Sequence, residues 1–323
     1  MSTLAWNDDI LDGYESASLG APRSATDGLG DGPLERTLVR SIAVPDKPRA
    51  VALVVHGYND YFFGVELAGH LAKHGCAVYA VDMRRAGRSL REGNQPHHIG
   101  HIRELGEDIG DAAEAAVTDA RERGLGDLPL LVHAHSTGAL ATTVWAHDNP
   151  ADALAGLILD GPFYGLVLPG WQKAAMRIVP GIARVRERQV VVPAPSPYTT
   201  GLINRGWDFD TAWKRPDGVG ATAGWVAATG QAQRRVSEGL EISVPILVAT
   251  SDTSGPDRLE NPHHGSQDTV VDVDAVRRYS AGLGENVQHL IVPGAIHDLT
   301  MSENEPRAAY LDAVGRFVDT VVG

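Results

Sequence analysis

Apolar runs of strand length recur along the chain with amphipathic helical stretches between them, and this alternation restricts the possible folds more than any other feature. Ala50–Val55 is continuously apolar, and similar runs lie at 77–81, 128–132, 154–159, 245–249 and 288–292. Helical spacing of apolar residues occupies 65–74, 108–122, 139–147, 274–283 and 306–321. Strand, crossover helix and parallel strand, repeated in this way, predict an α/β fold with a mostly parallel central sheet and helices on both faces. The first 45 residues lack that rhythm and read as antiparallel strands at a sheet edge. Residues 163–240 break it again, with prolines, glycines and Trp171, Trp207, Trp213 and Trp225 but no strand period.

Composition narrows the function classes. A net charge of −13 argues against nucleic acid as a partner, because phosphate binding needs concentrated Lys and Arg. No apolar run approaches the roughly 20 residues of a membrane span. Met1 to Asp9 lacks a basic segment followed by an apolar one, so no signal peptide is expected. The single cysteine, Cys76, permits no intrachain disulfide and fits a reducing cytoplasm as a buried structural thiol. The glycines from Gly28 to Gly32 lack the preceding buried strand that a dinucleotide site requires; a surface hairpin turn is expected, and no cofactor.

The segment from Leu130 to Leu140 carries the chemistry. A buried strand runs into Ala134-His135-Ser136-Thr137-Gly138 and a helix follows at once. That setting thrusts a serine out at the carboxyl edge of a sheet, and the positions two before and two after it must be small because strand and helix converge there. Ser136 is therefore the expected nucleophile, with His135 turned away into packing. A serine hydroxyl is a weak nucleophile at neutral pH and needs an adjacent base. His297, hanging after the last strand, meets that need, whereas His289 lies within the strand and reads as structural. Oxyanion donors are expected from the backbone N–H of Tyr58, in the loop after the first inner strand, and of Thr137 at the helix start. His56 is expected to fix that loop.

Two carboxylates compete to orient the histidine. Asp268 lies far enough before His297 for one turn, one helix and one strand, and is favoured. Asp252 follows the preceding strand directly, but then the residues from Thr253 to His263 must form an insertion between acid and base.

These segments resemble the monoacylglycerol lipase-like branch of the α/β-hydrolase superfamily, which includes bacterial esterases and serine aminopeptidase-like proteins, over nearly the whole chain. His56-Gly57 resembles the oxyanion loop of that family, and the run from Asp82 to Ser89 its loop after the next strand. Ala134 to Gly138 resembles the elbow, with alanine in place of the usual first glycine. His264 to Val271 resembles the stretch that carries the acid, which adds weight to Asp268, and His297-Asp298 resembles the histidine motif. The resemblance implies an α/β-hydrolase core at 1–162 and 241–323, with 163–240 as a cap over the site.

The expected function is a serine hydrolase that cleaves a small-molecule carboxylic ester, monoacylglycerol-like or a small alkyl or aryl monoester, through an acyl-enzyme. A peptidase or amidase on the same residues, or a non-catalytic ligand-binding homologue, are the alternatives. His97, His98 and His101 cluster without a metal motif, so a solvated loop and no metal are expected. Leu166, Val167, Leu168, Trp171, Met176, Ile178 and Val179 form an apolar group that could line a pocket.

Overall fold

The computed structural model describes residues 4–24, 32–166, 178–194 and 196–323. Strands β1 (Asn7–Asp8), β2 (Tyr14–Ser18), β3 (Thr37–Ser41), β4 (Ala50–Val55), β5 (Cys76–Asp82), β6 (Leu130–His135), β7 (Leu154–Asp160), β8 (Val190–Val192), β9 (Ala221–Thr222), β10 (Ile246–Ser251) and β11 (Val287–Val292) alternate with helices. The helices are α1 (Val65–Lys73), α2 (Ile102–Glu122), α3 (Ser136–Asp148), α4 (Val179–Arg186), α5 (Pro197–Asn204), α6 (Ala223–Ser237), α7 (Val273–Ser280) and α8 (Asn304–Val322). One sheet has the order β1-β2-β3-β5-β4-β6-β7-β10-β11, and β8 and β9 form a separate antiparallel pair. From β5 to β11 every pairing is parallel; β1, β2 and β3 add the expected antiparallel edge.

Strand periodicity explains why the inner strands are apolar throughout. Along β4, Val51, Leu53 and Val55 enter one core with α2, α3 and α6. The alternate residues Ala50, Ala52 and Val54 enter the other, with α1 and α8. Full burial of each valine or leucine contributes about 1.5–3 kcal/mol, so a strand covered on both faces holds its register tightly. Cys76 opens β5, fully buried, and burial pushes its thiol up to about 12.

The chain departs from β4 toward β5 on one side and from β6 toward β7 on the other. Loops leaving the carboxyl ends of β4 and β6 therefore diverge, and the crevice between them is where open α/β sheets bind ligands.

Two expectations change. Helix α2 begins at Ile102 rather than at 108, because His101 acts as its N-cap, accepting from the Arg103 N–H while Glu104 accepts from the His101 N–H at 2.9 Å. The expected solvated loop at His97 and His98 is instead buried. His98 Nδ1 lies 2.9 Å from Thr222 Oγ1, and the His97 ring packs 4.8 Å from Tyr58. The start of α6 covers these histidines so closely that a Cβ on Gly224 would crowd His98 and the Ile99 carbonyl. Burial lowers the pKa of His97 to about 3, with His56 and Lys214 acting in the same direction, and keeps its ring neutral.

Helix α6, at the end of the 163–240 stretch, shares the core of α2 and α3 through Trp225, Val226 and Val236. Among the described residues no helix is long and apolar enough to cross a membrane.

Candidate active site

Ser136 opens helix α3 directly from strand β6 with φ 51°. A left-handed conformation is strained for a serine and marks a turn held by its surroundings. Those surroundings are tight: Ala134 is fully buried, and a Cβ on Gly138 would overlap the His56 carbonyl oxygen. A Cβ on Gly57 would come within 3.0 Å of the Ser136 Cβ, so the loop after β4 runs directly beside the serine.

His297 Nε2 lies 2.9 Å from Ser136 Oγ, and its Nδ1 lies 2.9 Å from Asp268 Oδ2. All three side chains are buried. The other oxygen of Asp268 accepts from the N–H groups of Val270 and Val271, both at 2.8 Å, which fixes the carboxylate plane. Gly161 takes φ 50° beside the histidine, where a Cβ would meet the His297 carbonyl and ring. Such a line of hydroxyl, imidazole and carboxylate can move a proton off the serine as the hydroxyl attacks a carbonyl.

Asp252 is elsewhere. Its Oδ1 accepts from the Gly294 N–H at 3.0 Å and so braces the turn that leads to His297. The insertion after Asp252 loops out and returns: Asp268 N–H donates to Thr253 O at 3.0 Å, and Gly255 N–H to Asp268 O at 2.8 Å.

Tyr58 and Thr137 border one small hollow together with His56, Gly57 and Trp225. Thr137 lies in the first turn of α3, where N–H groups have no partner within the helix and the helix dipole favours negative charge. His56 locks the loop between them, donating from Nδ1 to Gly57 O at 2.8 Å and accepting the Met83 N–H on Nε2 at 3.0 Å.

A buried polar group supports these residues from the side. The His135 ring stands 4.8 Å from that of His297 and donates from Nδ1 to Asp160 O at 3.2 Å. Burial lowers its pKa to about 4. Burial likewise lifts the Asp160 carboxyl well above the usual range, with the Asp298 charge adding to the effect. Asp298 goes the other way: burial opposes its charge, but the Lys214 ammonium and the hydrogen bond from Thr300 help outweigh that and hold it low. Asp60, His135 and Asp298 bring potential metal-ligand atoms within 4.8 Å of one another. The Lys214 ammonium, 2.8 Å from Asp60 Oδ1, already supplies positive charge there.

Of the apolar residues expected to line a pocket, Val179 is buried and Ile178 is exposed. Leu166 pairs with Val271 in an antiparallel bridge. Val167, Leu168, Trp171 and Met176 lie outside the described residues, as do most of the Gly28–Gly32 turn. Sequence reasoning missed Asn59, Asp60, Tyr198 and Lys214 around the site; the left-handed Asn59 sits in an irregular loop and left no spacing signal.

The fold recurs among solved structures. A soluble variant of monoglyceride lipase from Saccharomyces cerevisiae, solved with a substrate analog, aligns with a TM-score of 0.65 at 15% identity, covering 99% of this chain and 96% of that one. A thermostable carboxyl esterase from Bacillus coagulans, in complex with glycerol, aligns with a TM-score of 0.66 at 16% identity, covering 96% and 99%. Phospholipase YtpA of Bacillus subtilis is 29% identical over 128 residues, which span 38% of this chain and 43% of that relative. The serine aminopeptidase, S33 family profile matches residues 46–255, a stretch that holds Ser136 and the loop after β4. With its mostly parallel sheet, its elbow serine and this match, the chain has the α/β-hydrolase fold and belongs to the serine aminopeptidase, S33 family.

Proposed function

We propose that this serine hydrolase cleaves carboxylic esters of small molecules, monoacylglycerol-like or small alkyl and aryl monoesters, through an acyl-enzyme. The observation that carries the reading is the continuous hydrogen-bonded line from Ser136 through His297 to Asp268. In the first step the Ser136 hydroxyl adds to the ester carbonyl as His297 Nε2 takes its proton. Asp268, bonded to Nδ1–H, keeps the imidazole in the tautomer that leaves Nε2 free to accept, and stabilises the imidazolium. The backbone N–H groups of Tyr58 and Thr137 receive the negative charge that develops on the carbonyl oxygen. Collapse expels the alcohol, protonated by His297, and water then cleaves the acyl-enzyme by the same route in reverse.

Residues 163–240 act in this reading as a cap that selects the substrate, rooted in the core through α6. An aminopeptidase would need a carboxylate near Ser136 to hold a substrate ammonium. Of the buried carboxylates around the site other than Asp268, Asp60 is already bound by Lys214 and Asp298 accepts the Thr300 N–H, while burial drives Asp160 toward its neutral form, which favours the ester. The test is turnover of p-nitrophenyl esters by purified Ser136→Ala. A loss of roughly 10⁴-fold in kcat with the fold intact is expected; near-normal turnover would refute the reading.

A further inference from the structure

The loop that carries Tyr58 is fastened to the inserted segment residue by residue. Asn59 sits at φ 53°, a conformation that asparagine tolerates better than most side chains. Its amide makes a two-sided contact with the backbone of Arg215: Nδ2 donates to Arg215 O at 2.9 Å, and Oδ1 accepts the Arg215 N–H at 2.9 Å. The same Nδ2 lies 3.3 Å from Thr199 Oγ1 on helix α5. One side chain thus imitates a strand pairing between the loop after β4 and a segment about half the chain away.

Its neighbours are held likewise. The Tyr58 hydroxyl donates to Gly220 O at 3.2 Å, Asp60 binds Lys214 at 2.8 Å, and the Tyr61 hydroxyl accepts the Asp210 N–H at 2.7 Å. Asn59 and Asp60 are themselves buried, so these bonds are shielded from water. The first turn of helix α5 ties the Asn59–Thr199 contact to the base, because the hydroxyl of Tyr198, next to Thr199, accepts the N–H of Asp298, the neighbour of His297, at 3.0 Å.

Resting on the ester-hydrolase reading above, we propose that Asn59 is a positioning residue for the oxyanion donor. It fixes the direction of the Tyr58 N–H by clamping the loop to the 197–215 segment, so that this segment is part of the catalytic framework as well as a cover. Hydrogen-bond donors stabilise an oxyanion only when they are aimed in advance at where the charge forms. A loop freed from the clamp would still bind substrate but would present the N–H in many directions, and only the transition state would notice.

Asn59→Gly separates the side chain from the backbone, since glycine takes the same positive φ without strain. With p-nitrophenyl butyrate, kcat should fall about 10- to 100-fold, less than the 10²- to 10³-fold cost of deleting an oxyanion donor outright. KM should stay within about twofold, and affinity for phenylboronic acid, which mimics the tetrahedral state, should fall with kcat. Asn59→Asp, which tolerates the same φ but loses the donor toward Arg215 O, carries the same test if the glycine variant does not fold. A lower Tm with kcat and boronate affinity unchanged at a temperature where the variant is folded would overturn the proposal and leave Asn59 a purely structural residue. Absence of Ser136-dependent turnover in the wild-type protein, measured in the same assay, would instead refute the ester-hydrolase reading.

Discussion

Ser254 and Asp268 pair as neighbours in a parallel bridge, although the chain makes a long excursion between them. The bridge brings Asp268 back to the carboxyl end of β10, so the residue that reaches His297 stands where the strand ends while Asp252, directly after the strand, braces the Gly294 turn. Asp268→Asn should therefore lower kcat by about 10⁴-fold, since an amide would favour the wrong histidine tautomer. Asp252→Asn should cost less than about tenfold, through a looser turn. Steady-state turnover of both variants checks the ranking, and the reverse order would move the orienting role to Asp252.

Gly161→Ala probes how closely the backbone confines His297. The alanine would be strained at φ 50° and would press on the histidine backbone and ring. We expect a folded protein whose kcat is down by roughly 10²-fold, as small displacements of a reacting group can cost that much. Unchanged kcat would show that the imidazole has room to spare.

Acid should unfold the protein early. His97 is held near 3 and His133 and His135 near 4, in each case mainly by burial, so all three are neutral in the fold at pH 5. In the unfolded chain each would titrate near the ordinary value of about 6.5. Between about pH 6.5 and 4 the unfolded state therefore binds up to about three more protons from these groups, and stability rises with pH across that window. The urea midpoint should fall steadily from pH 7 to pH 5, and a midpoint flat over that range would contradict the neutral buried rings.

Much of this arrangement was legible in the sequence, for physical reasons that differ by residue. The strand β4 could be read because both of its faces are buried, and the elbow because Ser136, Gly138 and the strand before them must occur together. Helix α2 started earlier than its apolar spacing suggested because histidine is an uncommon cap. The burial of His97 and His98 could not be read because the covering helix α6 arrives from about 120 residues later. The Asn59 clamp is silent for the same reason: its partners are backbone atoms of Arg215, which carry no sequence signature.

If residues 163–240 select the substrate, acyl chain length should matter. Each buried methylene should add up to about 0.8 kcal/mol until the pocket is filled. Across p-nitrophenyl esters from about two to about twelve carbons, kcat/KM should rise and then drop sharply. A flat profile, or one that peaks at acetate, would mean that the apolar residues of this segment serve only its packing.

The central claim is that Ser136 becomes acylated, and covalent trapping tests it most directly. Treating the protein with an alkyl fluorophosphonate and mapping the adduct by peptide mass spectrometry should place one label on Ser136, blocked by prior incubation with substrate and absent from Ser136→Ala. Under the same treatment Asp268→Asn should label far more slowly, since its histidine is poorly oriented. A label on another residue, or none on a protein that still hydrolyses esters, would contradict the account.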